Sequence, residues 1–246
     1  MIAMKVSKNE LTASLRKAFE ALGFQPGDYY DAADMVVWLG THGFDGFDRL
    51  LSVLNYLNTT SPSHADLIEE KEGNFVLDGN ETSILLCGSE AVDLARSYAI
   101  QGSSARVEVT NCYNRTFILQ RLIKAAQRDL AFLAYWRQQD YCIKVTVSPR
   151  AKLPVYQTFM LNEQFDPQML RIFSGTNVAQ LEAEYAEHLQ MGAMIGDYPM
   201  EMMKACYIDS LDQGIEIDVT LWNTLDDLVS RVLVQSTEES RAGAGD

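Results

Sequence analysis

The chain has 246 residues, 47% hydrophobic and 22% charged, a composition that suits a folded chain with a sizeable core and excludes a disordered or fibrous one. Its 34 acidic against 20 basic side chains give a net charge of −14, with no basic run to offset it, so neither nucleic acid nor an anionic membrane surface is an expected partner. No apolar stretch reaches a membrane span, the start lacks a signal-peptide core, and Cys87, Cys112, Cys142 and Cys206 are widely spaced, so the expectation is a cytoplasmic protein with reduced thiols and no metal.

The chain opens with three predicted helices. Ser7 and Glu10 have capping-box spacing, Leu11, Leu15, Phe19 and Leu22 follow at helical intervals, and Gly23 closes the run. A second helix is predicted from about Asp28 to Leu39, stopped by Gly40. A third starts near Asp45 or Phe47 and turns Leu50, Leu51, Leu54 and Leu57 inward, and residues 58–64 read as a loop.

The periodicity changes at residue 74. Two apolar runs flank Asp78-Gly79, a hairpin signal. A helix capped by Ser89 follows, then a strand at 105–111, a helix at 115–129, and strands at 130–136, 141–149 and 154–161. This alternation predicts an α/β layer over about 74–162. Beyond it the chain reads as helical again. Asp166 is a predicted cap with Pro167 at the first helical position, followed by Met169, Leu170 and Phe173. Further helices are predicted at 177–192 and 199–214, then an extended Ile215–Asp218 and a last helix carrying Leu221, Trp222, Leu225, Leu228, Val229 and Val232. Residues 236–246 are small and polar, an expected disordered tail. The predicted class is α/β, layered. A discontinuous helical domain (1–72 and 176–235) packs on a central α/β domain (73–175) with a mixed sheet.

Two stretches carry a family resemblance. One is "DAADMVVWLGTHGFDGFDRLLSVLNYL", residues 31–57; the other runs from Phe75 to Trp136 and includes "TNCYNRTF". Together with the closing "SLDQGIEIDVTLWNTLDDLV" they resemble the malate/L-lactate/sulfolactate dehydrogenase family, over about two-thirds of the chain. These are NAD(P)H-dependent reductases of 2-oxoacids and cyclic imines that do not use a Rossmann fold. The resemblance is to a shortened, degenerate branch, expected in bacteria, and it implies an intimate homodimer.

The family's loop has the form G-H-x-S-H-G and precedes an arginine that faces the substrate carboxylate. Matched on the preceding helix, its catalytic histidine falls on Phe47; matched on Arg49, it falls on Asp45. Neither is an imidazole, and ketone reduction needs a proton donor of near-neutral pKa. In the later N-x-x-H-x-G motif, Asn114 replaces the histidine and Thr116 the glycine. Only about 60 residues separate Trp136 from Met200, without a glycine-rich loop.

The candidate catalytic groups are His42, which could supply an imidazole from the adjacent loop position, and Asp45. The competing readings are a helix-terminal histidine capping carbonyls and a helix-starting acid. Arg49 is the candidate carboxylate clamp, or else a surface arginine paired with Asp45 or Asp48. Tyr113, Asn114 and Arg115 stand at a strand-to-helix turn as candidate substrate contacts, with Asn114 as a simple N-cap the alternative. His64 and His188 read as surface residues, and the Met-rich run at 188–203 as adaptable core or a contact surface.

The resulting expectation is a non-catalytic or repurposed small-carboxylate-binding relative of 2-oxoacid dehydrogenases, a homodimer with no cofactor and an accessory role in small-molecule metabolism. The alternative is an active minimal NAD(P)H-dependent oxidoreductase of 2-oxoacids or cyclic imines, or a proton-transfer enzyme on a small carboxylate. A third possibility is a structural subunit whose Met-rich face packs on a protein partner.

Overall fold

The computed structural model describes residues 2–60, 62–161, 166–188 and 191–232. A short strand, β1 (Ala3–Val6), leads into α1 (Lys8–Ala21). The predicted capping box is present: Ser7 Oγ accepts the Glu10 N–H at 3.2 Å, and the Glu10 carboxylate accepts the Ser7 N–H at 2.9 Å. The second helix, α2 (Pro26–Thr41), starts at Pro26 and runs through Gly40. Gly40 does not stop the helix; it makes room. A Cβ there would lie 2.0 Å from Phe47 Cζ in α3 (Gly46–Leu57). The turn between the two helices is made at Gly43, whose φ of +80° favours glycine.

The next hairpin lies earlier than predicted. β2 (Asp66–Lys71) turns at Glu72-Gly73 into β3 (Asn74–Ser83), which continues past Asp78-Gly79 through a bulge where its register to β4 shifts between Asp78 and Thr82. "ILLC" is not a strand but the start of α4 (Ile84–Ala99). Ser83, not Ser89, is its cap, accepting the Leu85 N–H at 3.3 Å. The physical reason is that β3 lies parallel to β4 (Ala105–Tyr113), and parallel neighbours need a crossover helix between them. A 3₁₀ turn (Arg115–Ile118), α5 (Leu119–Ala126), β5 (Ala131–Gln138), β6 (Tyr141–Val147) and β7 (Val155–Leu161) then follow the predicted order.

The segment after β7 differs most from its predicted form. The predicted helix at Asp166-Pro167 is a turn, with Asp166 Oδ1 accepting the Gln168 N–H at 2.8 Å, and it opens into a strand, β8 (Leu170–Gly175). β8 lies antiparallel between β4 and β5. The helix predicted at 177–192 is shorter: α6 (Val178–Glu184), capped by Asn177, then a 3₁₀ turn. The Met-rich run becomes the edge strand β9 (Met191–Tyr198), paired with β7. α7 (Met200–Gln213) ends at Gly214 as predicted; β10 (Ile215–Asp218) pairs with β1, and α8 (Val219–Val232) follows. The predicted disordered tail at 236–246 lies outside the described residues.

The main sheet has eight strands in the order β2-β3-β4-β8-β5-β6-β7-β9. α4 packs on β4 and β8, α2 on α4 and α5, and α1 on α2 and α8. α6 packs on β5 and β8, beside a smaller apolar cluster centred on Leu133, Tyr135 and Phe173.

Gly40→Ala tests the α2–α3 crossing. Alanine is the better helix former by about 1 kcal/mol, yet the clash with Phe47 should make the variant less stable by about 1–3 kcal/mol. In a Phe47→Ala background the penalty should vanish or reverse, read by urea denaturation of all four proteins.

Candidate functional site

Asp45 immediately precedes α3, and Arg49 follows one turn later, its Nη2 3.6 Å from Asp45 Oδ2. The pair is partly exposed and contributes little by itself, about 0–1 kcal/mol. Both residues line a cleft of about 300 Å³, together with Thr116 from the 3₁₀ turn, Gln138 at the end of β5, Tyr141, Tyr156, and Asp197 and Tyr198 of β9. Thr116 Oγ1 is 3.4 Å from Gln138 Oε1. The Tyr198 hydroxyl donates to the Gly43 carbonyl at 3.2 Å, and Phe44 packs edge-on to Tyr156 at 5.2 Å. Burial pushes the Tyr156 phenol upward, with Tyr141 and Asp45 adding and Arg49 opposing. It therefore stays protonated and can donate a hydrogen bond.

The sequence reading missed Gln138, Tyr141, Tyr156, Asp197 and Tyr198. The available signal was the two-residue spacing of Tyr141 with Ile143 and of Tyr156 with Thr158, which puts each pair on one face of its strand. The hairpin register sets Ile143 opposite Thr158.

His42 is elsewhere. It is 6% exposed and stacked between Trp38 and Tyr207, with ring centroids at 4.1 and 4.9 Å. Its Nδ1 is 2.7 Å from the Trp38 carbonyl, which can only accept, so Nδ1 carries the proton and donates. His42 thus caps the end of α2. Burial lowers its pKa, the Trp38 carbonyl opposes that, and Lys8 adds to it, leaving a neutral imidazole.

Tyr113, Asn114 and Arg115 do not line the Arg49 cleft. Tyr113 meets Tyr56 edge-on at 6.2 Å. Asn114 makes the turn in the left-handed region (φ 60°) without a side-chain capping bond; its Nδ2 lies 3.5 Å from Ser83 Oγ. Arg115 donates to the carbonyls of Cys112 (2.6 Å) and Arg137 (3.1 Å), tying the ends of β4 and β5. His64 is half-exposed and pairs with Glu90 at 2.7 Å. His188 is half-buried rather than on the surface, its Nε2 3.3 Å from Arg106 Nη1. Cys87, Cys112 and Cys142 are buried, and burial pushes the Cys112 and Cys142 thiols up to about 12. Among the described residues no three His, Cys, Asp or Glu side chains converge as a metal site would need, and no helix is long and apolar enough to cross a membrane.

A family model described as "Protein of unknown function (DUF3726)" matches residues 6–90. No curated protein matches the chain. Among solved structures, the chain is similar to malate dehydrogenase from Pyrococcus horikoshii OT3, with a TM-score of 0.68 at 11% identity, covering 95% of this chain and 97% of that one. Sulfolactate dehydrogenase from Methanocaldococcus jannaschii aligns with a TM-score of 0.62 at 12% identity, over 92% of this chain and 97% of that one. Delta1-piperideine-2-carboxylate reductase from Pseudomonas syringae pvar. tomato aligns at 0.61 and 10% identity, over 92% and 99%. These similarities establish a shared fold.

The buried imidazole predicts a pH dependence. An unfolded histidine titrates near 6.5, and native His42 titrates lower. Between the two values the unfolded chain holds more protons, so His42's contribution to stability is complete above about 6.5 and is lost as pH falls toward the native value. The loss is up to about 1.4 kcal/mol per pH unit. His42→Phe keeps the ring stack and should lack this slope, measured by chemical denaturation of both proteins between pH 7.5 and 5.

Proposed function

We propose that this chain, built on the fold of the malate/L-lactate/sulfolactate dehydrogenase-like proteins, binds a small carboxylate at Arg49 and does not transfer hydride. It would act as a repurposed, accessory protein of small-molecule metabolism. The observation that carries this reading is the separation of Arg49 from every imidazole. All three histidines are placed, and none lines the Arg49 cleft. Arg49 offers a planar fork matched to a carboxylate, and the protonated Tyr156 phenol and the Gln138 amide are neutral donors lining the same space. The Asp45–Arg49 pair is exposed enough for an incoming carboxylate to displace Asp45 at small cost.

The same residues suit a nicotinamide dinucleotide poorly. At about 300 Å³ the cleft is at the small end of ligand pockets, which run from about 300 to 1,000 Å³. Among the described residues the one cation lining it, Arg49, stands beside Asp45 and shares the cleft with Asp197, a poor setting for a pyrophosphate. Thr116 is 5% exposed and places a side chain where the resembled motif has glycine. Under this reading, NADH and NADPH fluorescence should not change on adding the protein.

We also infer that the chain forms a homodimer through β9 and α7. β9 is a sheet edge with Met194 and Ile195 exposed. α7 leaves Met200, Met202, Ile208 and Leu211 exposed and buries Met203. Apolar side chains beside an unpaired edge are a surface a second copy can cover.

Calorimetric titration with a panel of 2-oxoacids should find binding that Arg49→Ala weakens about tenfold or more, the scale of a lost charge-assisted contact. NAD(P)H-dependent turnover that disappears in Asp45→Asn or His42→Ala would establish the reductase alternative instead. Light scattering at micromolar concentration should give twice the chain's 27.6 kDa, and Met202→Glu/Leu211→Glu should reduce it to that value.

A further inference from the structure

A second, larger cleft of about 600 Å³ opens between α1, α2, α7 and the loop after β6. It shares no lining residue with the Arg49 cleft. Three lysines line it: Lys8, Lys152 and Lys204. In a chain of net charge −14 this is a local reversal of sign. Among the described residues the lysines that form ion pairs are Lys124 and Lys144, so these three ammonium groups have no carboxylate partner. Among the described residues the one acid in the lining, Asp34, is already 3.5 Å from Arg16 and 3.9 Å from Lys124.

The walls are aromatic and apolar. Trp38, His42 and Tyr207 form a continuous ring stack, and Lys8 Nζ sits 5.3 Å from the Tyr207 centroid. Val37 and Leu153 complete the apolar lining. One polar atom is left over: Gln120 Oε1 is buried without a hydrogen-bond partner, and Gln120 lines this cleft. An orphaned buried amide oxygen is unfavourable unless something meets it. The amide can be turned either way, so it can accept from a ligand or donate to one.

We propose that this cleft binds a small aromatic anion. Lys8, Lys152 and Lys204 hold its carboxylate or phosphate, Trp38, Tyr207 and Leu153 contact its ring, and Gln120 meets its polar edge. The volume accommodates one or two fused rings with an anionic substituent. Electrostatic attraction by the lysines and apolar contact by the walls are both required, because neither an exposed lysine nor a shallow apolar wall retains a small ligand alone.

Calorimetry on the full chain tests this with four probes: 1-naphthoate, 1-naphthyl phosphate, uncharged 1-naphthol and inorganic phosphate. At least one of the naphthyl anions should bind, and which one is tighter distinguishes a carboxylate from a phosphate ligand. Lys152→Ala/Lys204→Ala changes cleft-lining lysines that make no ion pair, and should weaken that binding about tenfold or more. Arg49→Ala should leave it unchanged, which separates this site from the carboxylate cleft. The proposal is overturned if neither naphthyl anion binds, or if naphthol or inorganic phosphate binds as tightly as they do. Loss of binding in Arg49→Ala, or unchanged binding in the double lysine variant, overturns it equally.

Discussion

The insertion of β8 between β4 and β5 is the constraint on which the rest of the molecule depends. Without it the sheet would be two pieces, β2-β3-β4 and β5-β6-β7-β9. β8 satisfies the backbone edges of both neighbours, pairing Ser174 with Ala105 on one side and with Phe132 on the other. Its register is pinned by charge as well as by apolar alternation. Leu170 and Ile172 face the main core, while Arg171 on the opposite face donates to the nearly buried Glu108 at 2.6 Å and to the Tyr135 hydroxyl at 2.7 Å. Slipping by one residue would turn the guanidinium away from Glu108 and toward the helical core, which is strongly unfavourable.

The Arg49 cleft follows from that register. Thr116 comes from the turn after β4, Gln138 from the end of β5, Tyr141 and Tyr156 from β6 and β7, and Tyr198 from β9. All but Thr116 come from the β5-β6-β7-β9 half; β8 and the Arg115 bonds to the ends of β4 and β5 bring the Thr116 turn beside them. The cleft is thus a property of the topology, with α3 contributing its first turn from outside.

That explains which parts were legible in the sequence. The Ser7–Glu10 box, the last two helices with Gly214 between them, and the run of strands β4 to β7 carry local signals, and they stand where those signals put them. β1 is four residues long and was not predicted; it exists by pairing with β10, the predicted extended Ile215–Asp218, more than two hundred residues away. β9 reads "MGAMIGDY", rich in methionine and glycine, and is a strand because β7 offers it an edge. Asp166-Pro167 is a turn signal as much as a helix start, and only the open slot beside β4 decides between them. In the site, Arg49 and Asp45 were readable because they sit on one local loop. Gln138 and the tyrosines were not, because tertiary pairing brings them there.

The loop from Gly40 to Arg49 is fixed by packing. Its glycines answer to specific neighbours: Gly40 to the Phe47 ring, Gly43 to Tyr198 and Gly46 to Leu39. Of the two residues that match the family's catalytic histidine position, Phe47 is absorbed by this packing, while Asp45 lines the cleft beside Arg49. Asp45 already pairs with the Arg49 guanidinium 3.6 Å away. His42 cannot move in to compensate, because the Trp38 carbonyl and two rings hold it on the other side of the turn. The two clefts are therefore separated by the turn itself. One is lined by an arginine and no imidazole, the other by three lysines and an imidazole.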